Sequence, residues 1–289
     1  MTKERSFSDK ASSRLVTAPY TVWMVIFVLV PIALVVYYAL TDADGNFTTA
    51  NIGSIFNYSG TFFISIELAV IATAICLVLA FPLAYSISRM KEHTQQFLIM
   101  LVMLPMWMNF LIRTYAWMTI LEDNGLINTA IGKIVSLFGG EFEGFSMINT
   151  NGAIVLGMVY NFLPYMVLPI YTVMTKIDKN MIEAAYDLGA GRFQVFRRVI
   201  IPQSIPGMIS GVTMVFVPAV STFVISKLLG GGKTFLIGDI IENYFLGNAG
   251  EVNYNVGASL SLVLMILILI SMGIMNHFDK DAETGGGMI

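Results

Sequence analysis

The sequence predicts an all-α membrane protein with about six transmembrane helices, and three observations lead to this fold class. Hydrophobic residues make up 56% of the 289 residues, charged residues make up only 12%, and the apolar residues gather in long stretches. An ordinary soluble domain has about twice this share of charged residues and cannot bury so much apolar surface. We therefore expect lipid to be the solvent for most of the chain.

Six stretches are long and apolar enough to cross a membrane, since a spanning helix needs about 20 mostly apolar residues. The third and fifth contain Pro105 and Pro218, and each is still predicted as a single span. The first is too long for the apolar core of a secretory signal peptide. The predicted spans are Thr21–Leu40, Phe62–Ile87, Phe97–Trp117, Ala153–Thr175, Gly207–Ser226 and Val256–His277.

Lys and Arg residues fix the predicted orientation, because cytoplasmic loops are richer in them than external loops. Twelve of the 16 lie before the first span, between the second and third, between the fourth and fifth, or in the tail. Both termini are therefore predicted to be cytoplasmic. The predicted organisation is a cytoplasmic N-terminal segment (1–20), a first helix with an outer loop (21–61), a main transmembrane domain (62–277) that contains a cytoplasmic loop (176–206), and a cytoplasmic tail (278–289).

The cytoplasmic loop 176–206 differs from the other loops because it has a helical pattern of its own. Asp178 is predicted to cap a helix over Lys179–Leu188, which Gly189–Gly191 should end. A second short helix is predicted over Arg192–Ile201, with the following proline as its stop. Such a unit suits docking into a groove of a partner protein, and it equally suits lying on a membrane surface.

The same loop carries a recognisable order of residues. Glu183-Ala184-Ala185 is followed by three residues, Gly189, nine residues and Val199-Ile200-Ile201-Pro202. This order resembles the EAA loop of binding-protein-dependent ABC importer permeases, whose pattern ends in Ile, one residue and Leu-Pro. Val199 and Ile201 depart from that ending, but both keep an apolar side chain. The loop also lies where the charge distribution independently predicts the cytoplasm.

Three further segments resemble the permeases of spermidine/putrescine importers, and the likeness covers nearly the whole chain. They are Leu104–Tyr115, Tyr160–Met166 and Asp187–Ala190. The resemblance implies a type I ABC importer permease fold, a location in the cytoplasmic (inner) membrane and polyamines as the cargo. It also implies that this chain is not an enzyme and holds no cofactor, because a separate cytoplasmic subunit uses the ATP.

The resemblance implies three kinds of partner. They are a second permease that forms a heterodimer with this one, a cytoplasmic ATPase present in two copies, and an extracytoplasmic substrate-binding protein. The EAA helix would lie in a groove of the ATPase and transmit its closure to the spans. The coupling residues that the resemblance implies are Glu183, Ala184, Ala185, Asp187, Gly189 and Pro202.

Polar and aromatic residues in the spans are candidates for the substrate path, because polar groups are costly in lipid and aromatic rings attract ammonium groups. Other interpretations remain open: Glu67 could pair with Arg113, asparagines could form interhelical hydrogen bonds, and aromatic rings are common at membrane interfaces. Lys227, near the predicted outer mouth, would repel a cation unless an outer acid neutralises it. The path candidates are Glu67, Trp107, Asn109, Tyr160, Asn161 and Tyr165.

Other functions are less consistent with the sequence. A related permease for an anion, an iron complex or an amino-acid-like solute remains open, whereas a secondary transporter would not need the docking loop. A catalytic or metal site within the spans would need clustered ligands, yet no histidine lies well inside a span and Cys76 is the single cysteine. Gly230–Thr234 lacks the glycine spacing of a phosphate-binding loop.

Overall fold

The computed structural model describes residues 17–247, 250 and 252–285, and the regular elements in these ranges are all helices. Residues 1–16 of the predicted N-terminal segment, residues 248, 249 and 251, and residues 286–289 of the predicted tail lie outside the described residues. The helices are α1 (Thr17–Ala39), α2 (Ala50–Ser54), α3 (Ser59–Ser88), α4 (Glu92–Met103), α5 (Phe110–Leu121), α6 (Leu126–Leu137), α7 (Asn151–Met174), α8 (Lys179–Asp187), α9 (Arg192–Ser221), α10 (Val224–Leu229), α11 (Ile237–Leu246) and α12 (Tyr254–Gly285).

Five helical segments of the described chain are long and apolar enough to cross a membrane. They are α1, the continuous segment Ala50–Ser88 that contains α2 and α3, α7, α9, and the part of α12 up to His277. A bent pair of helices, Glu92–Trp107 and Phe110–Leu137, makes a sixth if it is counted as one span. The predicted all-α fold with about six transmembrane helices is confirmed.

The third predicted span, Phe97–Trp117, is wrong as a single helix, because its two halves meet at 89°. Pro105 lacks a backbone N–H, and α4 tightens into a 3₁₀ turn over Leu104–Trp107. Met108 then takes an extended conformation, and Asn109 caps the start of α5. The proline and the new cap together end one helix and begin another.

The fifth predicted span, Gly207–Ser226, is also corrected. α9 begins at Arg192 and ends at Ser221, so the predicted short helix Arg192–Ile201 and the span form one helix that continues through Pro202. A π turn over Phe196–Ile200, in which the Ile201 N–H donates to the Phe196 carbonyl, widens the helix just before this proline. The wider turn accommodates the ring that would otherwise meet the carbonyl four residues earlier.

The chain divides into two compact units, and the larger comprises Tyr58–Glu242 with the chain from Ile266 onward. Its core is formed by α3, α7 and α9, which pack against one another. Small residues allow this close approach, as is common between membrane helices. A Cβ atom added at Gly207 of α9 would lie 2.8 Å from the carbonyl oxygen of Pro169 in α7. Alanines of α3, among them Ala72 and Ala80, are fully buried.

The smaller unit comprises the chain up to Asn57 together with Asn243–Met265. Here the end of α1 is tied to the start of α12 by side-chain hydrogen bonds. The Asn255 amide Nδ2 donates to the Thr41 carbonyl at 2.6 Å, and the Ser259 hydroxyl donates to the Ala39 carbonyl at 3.1 Å. These bonds satisfy carbonyls at the end of α1 that have no partner within the helix.

Candidate coupling and transport site

The short helix α8 has defined ends that follow from its sequence. Asp178 caps it, because the Asp178 carboxylate accepts a hydrogen bond of 2.9 Å from the Asn180 N–H. At its other end, Gly189 has φ +82°, and the Gly189 and Ala190 N–H groups donate to the Tyr186 and Ala185 carbonyls. A left-handed glycine after the last turn is a common helix stop. The predicted cap and the predicted glycine break are both confirmed.

We refer to Asp178–Pro202, which contains α8 and the first turns of α9, as the coupling unit. Its buried side chains, Ile182, Val195 and Ile200, face the protein. Phe196 anchors the unit to the end of α3, with its ring centroid 5.7 Å from that of Phe81 and 5.5 Å from that of Tyr85. A displacement of the coupling unit would therefore act directly on a membrane-crossing helix.

The outer face of the coupling unit is exposed and carries large apolar side chains. Leu188 is 89% exposed and Phe193 is 74% exposed. Large exposed apolar side chains in a polar segment are typical of a surface that contacts a partner. Of the six coupling residues implied by the sequence, Ala185 is half-buried and the other five are exposed: Glu183, Ala184, Asp187, Gly189 and Pro202.

A second cluster surrounds the break between α4 and α5. The buried Arg113 donates from Nη1 to the Pro105 carbonyl, on the other side of the break. Its guanidinium lies 5.8 Å from the ring centroids of both Phe110 and Tyr160. Tyr160 also packs edge-on against Trp117, at 5.2 Å between centroids. Arg113 therefore holds the two sides of the break together and fastens them to α7.

The structure brings some of the predicted path residues to this break. Trp107, 74% exposed, ends the 3₁₀ turn, and Asn109 uses its side-chain oxygen to cap α5 by accepting from the Leu111 and Ile112 N–H groups. Tyr160 faces the Arg113 guanidinium. These three candidates therefore share one neighbourhood.

The other path candidates lie elsewhere. Glu67 is exposed on α3 and forms no ion pair with Arg113, so the alternative interpretation of Glu67 as a partner of Arg113 is not supported. Tyr165 is exposed on α7, beside Phe162. Asn161 is buried, and its amide donates to the Gly157 carbonyl of its own helix, while Oδ1 has no partner among the described residues. The predicted interhelical hydrogen bonds of Asn109 and Asn161 are therefore not formed within the described chain.

A third polar cluster lies after α9. Lys227 forms an ion pair with Glu242, with Nζ 2.9 Å from Oε2, so an acid neutralises Lys227 as the sequence suggested. One helical turn before Glu242, the Asp239 carboxyl is only 3% exposed and accepts from the Leu236 N–H at 2.7 Å. Burial raises its pKa to about 6. Asp239 was not predicted from the sequence to be a buried site residue, and the only signal for it was its spacing from Glu242.

The model of one protein family, described as "Binding-protein-dependent transport system inner membrane component", matches residues 4–284. The chain belongs to this family. It is 36% identical over 266 residues to the spermidine/putrescine transport system permease protein PotB of Haemophilus influenzae, covering 89% of this chain and 91% of that protein. It is 34% identical over 256 residues to PotB of Escherichia coli K12, covering 86% of this chain and 91% of that protein.

Solved structures show the same fold as this permease. A bacterial ABC transporter that imports the acidic polysaccharide alginate matches with a TM-score of 0.74 at 17% identity, over 96% of this chain and 99% of that one. The MetNI methionine ABC transporter matches with a TM-score of 0.55 at 14% identity, over 80% and 98%. The permease is thus a multi-pass membrane protein with the ABC importer fold, and its recognition from the EAA order is confirmed.

Proposed function

We propose that this permease forms part of the translocation path of an ABC importer for polyamines, with spermidine and putrescine as the cargo. The assignment of the cargo rests on the similarity to PotB, which extends over about nine tenths of both chains. The fold alone does not set the cargo, since similar structures import alginate or methionine. The chain resides in the inner membrane with both termini in the cytoplasm.

The coupling unit docks onto a cytoplasmic ATPase dimer, a PotA-like protein. Its exposed apolar side chains, Leu188 and Phe193, together with Glu183 and Asp187, support this assignment. The anchor of Phe196 on α3 gives the route by which closure of the ATPase reaches the membrane. ATP is used by that partner, so this chain hydrolyses nothing and holds no cofactor.

The path itself is completed by a second, PotC-like permease, and a PotD-like binding protein delivers the cargo from outside. Exposed residues of this chain then face either lipid or the second permease. Glu67, Trp107 and Tyr165 supply a carboxylate and aromatic faces that suit ammonium groups. Asn109 is exposed beside Trp107, whereas Tyr160 is half-buried and Asn161 is buried, so these last two act by shaping the path.

The proposal is tested by uptake of radiolabelled spermidine and, separately, of radiolabelled putrescine in cells that lack this gene and any other polyamine importer. The cells receive the unchanged chain, Leu188→Glu or Leu137→Glu. Leu188 and Leu137 are 89% and 83% exposed, so neither substitution disturbs a core, and only Leu188 lies on the coupling unit. Membrane levels of the three chains are compared by immunoblot.

We expect the unchanged chain and Leu137→Glu to restore uptake, and Leu188→Glu to reduce it at least tenfold, on the order of the loss of one interface hot spot. Equal activity of the two variants would refute the docking role of the coupling unit. If the unchanged chain restores no spermidine or putrescine uptake, the cargo is another small solute.

A further inference from the structure

A cavity of about 700 Å³ opens beside the coupling unit, and neither the proposed path nor the proposed docking contact uses it. It lies where α3 ends, α4 begins, α7 ends and α8 begins. Its volume falls within the range of about 300–1,000 Å³ that is typical of ligand pockets. Because α3 and α7 are membrane-crossing helices, their ends place the cavity at the level of lipid headgroups.

Three basic side chains line this cavity and only one acidic side chain, Glu92, opposes them. The basic residues are Arg89, Lys91 and Lys179. None of the three forms an ion pair with any residue that the structure describes. Arg89 is positioned by the Tyr85 ring, whose centroid lies 5.2 Å from the guanidinium carbon. The cavity therefore attracts an anion and repels a polyamine.

A hydrogen-bonded glutamine fixes the wall between α4 and α7. The Gln95 amide Nε2 donates to the Ser88 carbonyl at 3.1 Å and to the Met90 carbonyl at 2.8 Å. Its side-chain oxygen accepts from the Tyr171 hydroxyl at 2.9 Å. These bonds join the turn that carries Arg89 and Lys91 to the end of α7. Arg89 and Lys91 therefore project from a preformed wall, which reduces the cost of ordering them around a ligand.

The surface next to the cavity favours a lipid over a soluble anion. Met90, a lining residue, is exposed, and exposed apolar side chains continue from it along α4 at Phe97, Met100 and Leu101. An acyl chain can lie along such a track while its headgroup enters the cavity. Clusters of Lys and Arg at the ends of membrane helices also attract anionic lipids.

We propose that this cavity binds the phosphate headgroup of an anionic phospholipid, with Arg89, Lys91 and Lys179 as its cationic ligands. Lys179 and Ile182, which also line the cavity, belong to α8. The lipid therefore contacts the coupling unit and the span ends at once, and its binding favours one position of α8 relative to α3 and α7. This site is independent of which solute the permease carries.

The test uses the full chain, purified in a neutral detergent and titrated with phosphatidylglycerol or, as a zwitterionic control, phosphatidylcholine. Native mass spectrometry measures the bound lipid. The variant Arg89→Gln/Lys179→Gln removes two charges from the cavity. The matched control, Lys133→Gln/Lys233→Gln, removes two exposed charges from the end of the protein predicted to lie outside. Thermal unfolding without added lipid checks that both variants fold.

We expect phosphatidylglycerol to bind the unchanged chain more tightly than phosphatidylcholine does. The cavity variant should lose about thirtyfold in affinity for phosphatidylglycerol, since each basic residue near the surface contributes about fivefold, and the control variant less than about twofold. Equal losses in the two variants, or equal binding of the two lipids, overturn the proposal. If millimolar inorganic phosphate displaces phosphatidylglycerol completely, the site binds a soluble anion and the lipid assignment is wrong. If the double variant does not fold, the exposed Lys91→Gln substitution provides the same comparison.

Discussion

Asp239 places a buried carboxyl beside the more exposed pair of Lys227 and Glu242. Its pKa is raised to about 6, chiefly by burial and also by the charge of Glu242, while the hydrogen bond from the Leu236 N–H and the charge of Lys227 act in the opposite direction. Because the folded-state pKa lies above the ordinary value, the protonated group stabilises the fold below about pH 4. This stabilisation is lost as the pH rises through about 6.

We predict that Asp239→Asn removes this pH dependence, because the amide stays neutral and can still accept from the Leu236 N–H. The thermal unfolding midpoint of the unchanged chain should fall between pH 5 and pH 7.5, and that of the variant should fall less. At pH 7.5 the variant should be the more stable of the two, by up to about 3 kcal/mol. Parallel midpoint profiles for the two chains across this range would contradict the assignment.

Arg113 is predicted to stabilise the break between α4 and α5. Arg113→Met replaces the aliphatic stem of the arginine with an unbranched apolar side chain. It leaves the Pro105 carbonyl without its donor and removes the charge beside Tyr160. The free energy of unfolding should fall by about 1–3 kcal/mol. Arg192→Met, at an exposed position, should change it little. Chemical unfolding in detergent measures both, and equal effects would mean that Arg113 does not hold the break.

At the scale of helices, the contact between α7 and α9 depends on glycine. A methyl group at Gly207 would meet the backbone of α7, whereas one at Gly273 of α12 would meet nothing within 4 Å. Gly207→Ala should therefore destabilise the protein by about 1–3 kcal/mol, as overpacking does. Gly273→Ala should leave stability unchanged or raise it by up to about 1 kcal/mol. Thermal unfolding measures the stability of the two variants. If Gly207→Ala leaves stability unchanged, α7 and α9 separate easily to make room for the methyl group.

The ends of α8 could be predicted from the sequence because their causes are local. Asp178 caps by its own carboxylate, and Gly189 takes a backbone conformation that other residues avoid. The break at Met108 and the π turn before Pro202 could not be predicted in the same way. A proline can end, kink or leave a helix intact, and the choice depends on what surrounds it, such as Arg113 at one site and the π turn at the other.

The partners of individual side chains were also difficult to predict from the sequence. Arg113 was visible in the sequence as a basic residue within a predicted span, but its partner is a backbone carbonyl and two rings rather than Glu67. Backbone carbonyls leave no trace in a sequence pattern. The pairing of Lys227 with an outer acid was predictable in kind, because an unpaired cation there would repel the cargo, but the choice of Glu242 required the structure.

At the scale of the whole molecule, the exposed apolar side chains of this permease lie both on the spans and on the coupling unit. The spans expose apolar side chains to lipid or to a second permease, and the coupling unit presents Leu188 and Phe193 at the membrane end where the basic residues gather. Family membership accounts for the fold. The cargo depends on the likeness to PotB, and the role of the coupling unit depends on its exposed face.

The most direct test of the central proposal is uptake of radiolabelled spermidine into proteoliposomes that contain the permease with its partner subunits. A loaded binding protein is supplied outside and ATP is enclosed with the ATPase. We predict spermidine accumulation that requires ATP and is lost with Leu188→Glu but kept with Leu137→Glu. Accumulation at the same rate without ATP, or at the same rate with Leu188→Glu as with Leu137→Glu, would contradict the proposal that this chain couples polyamine import to a separate ATPase.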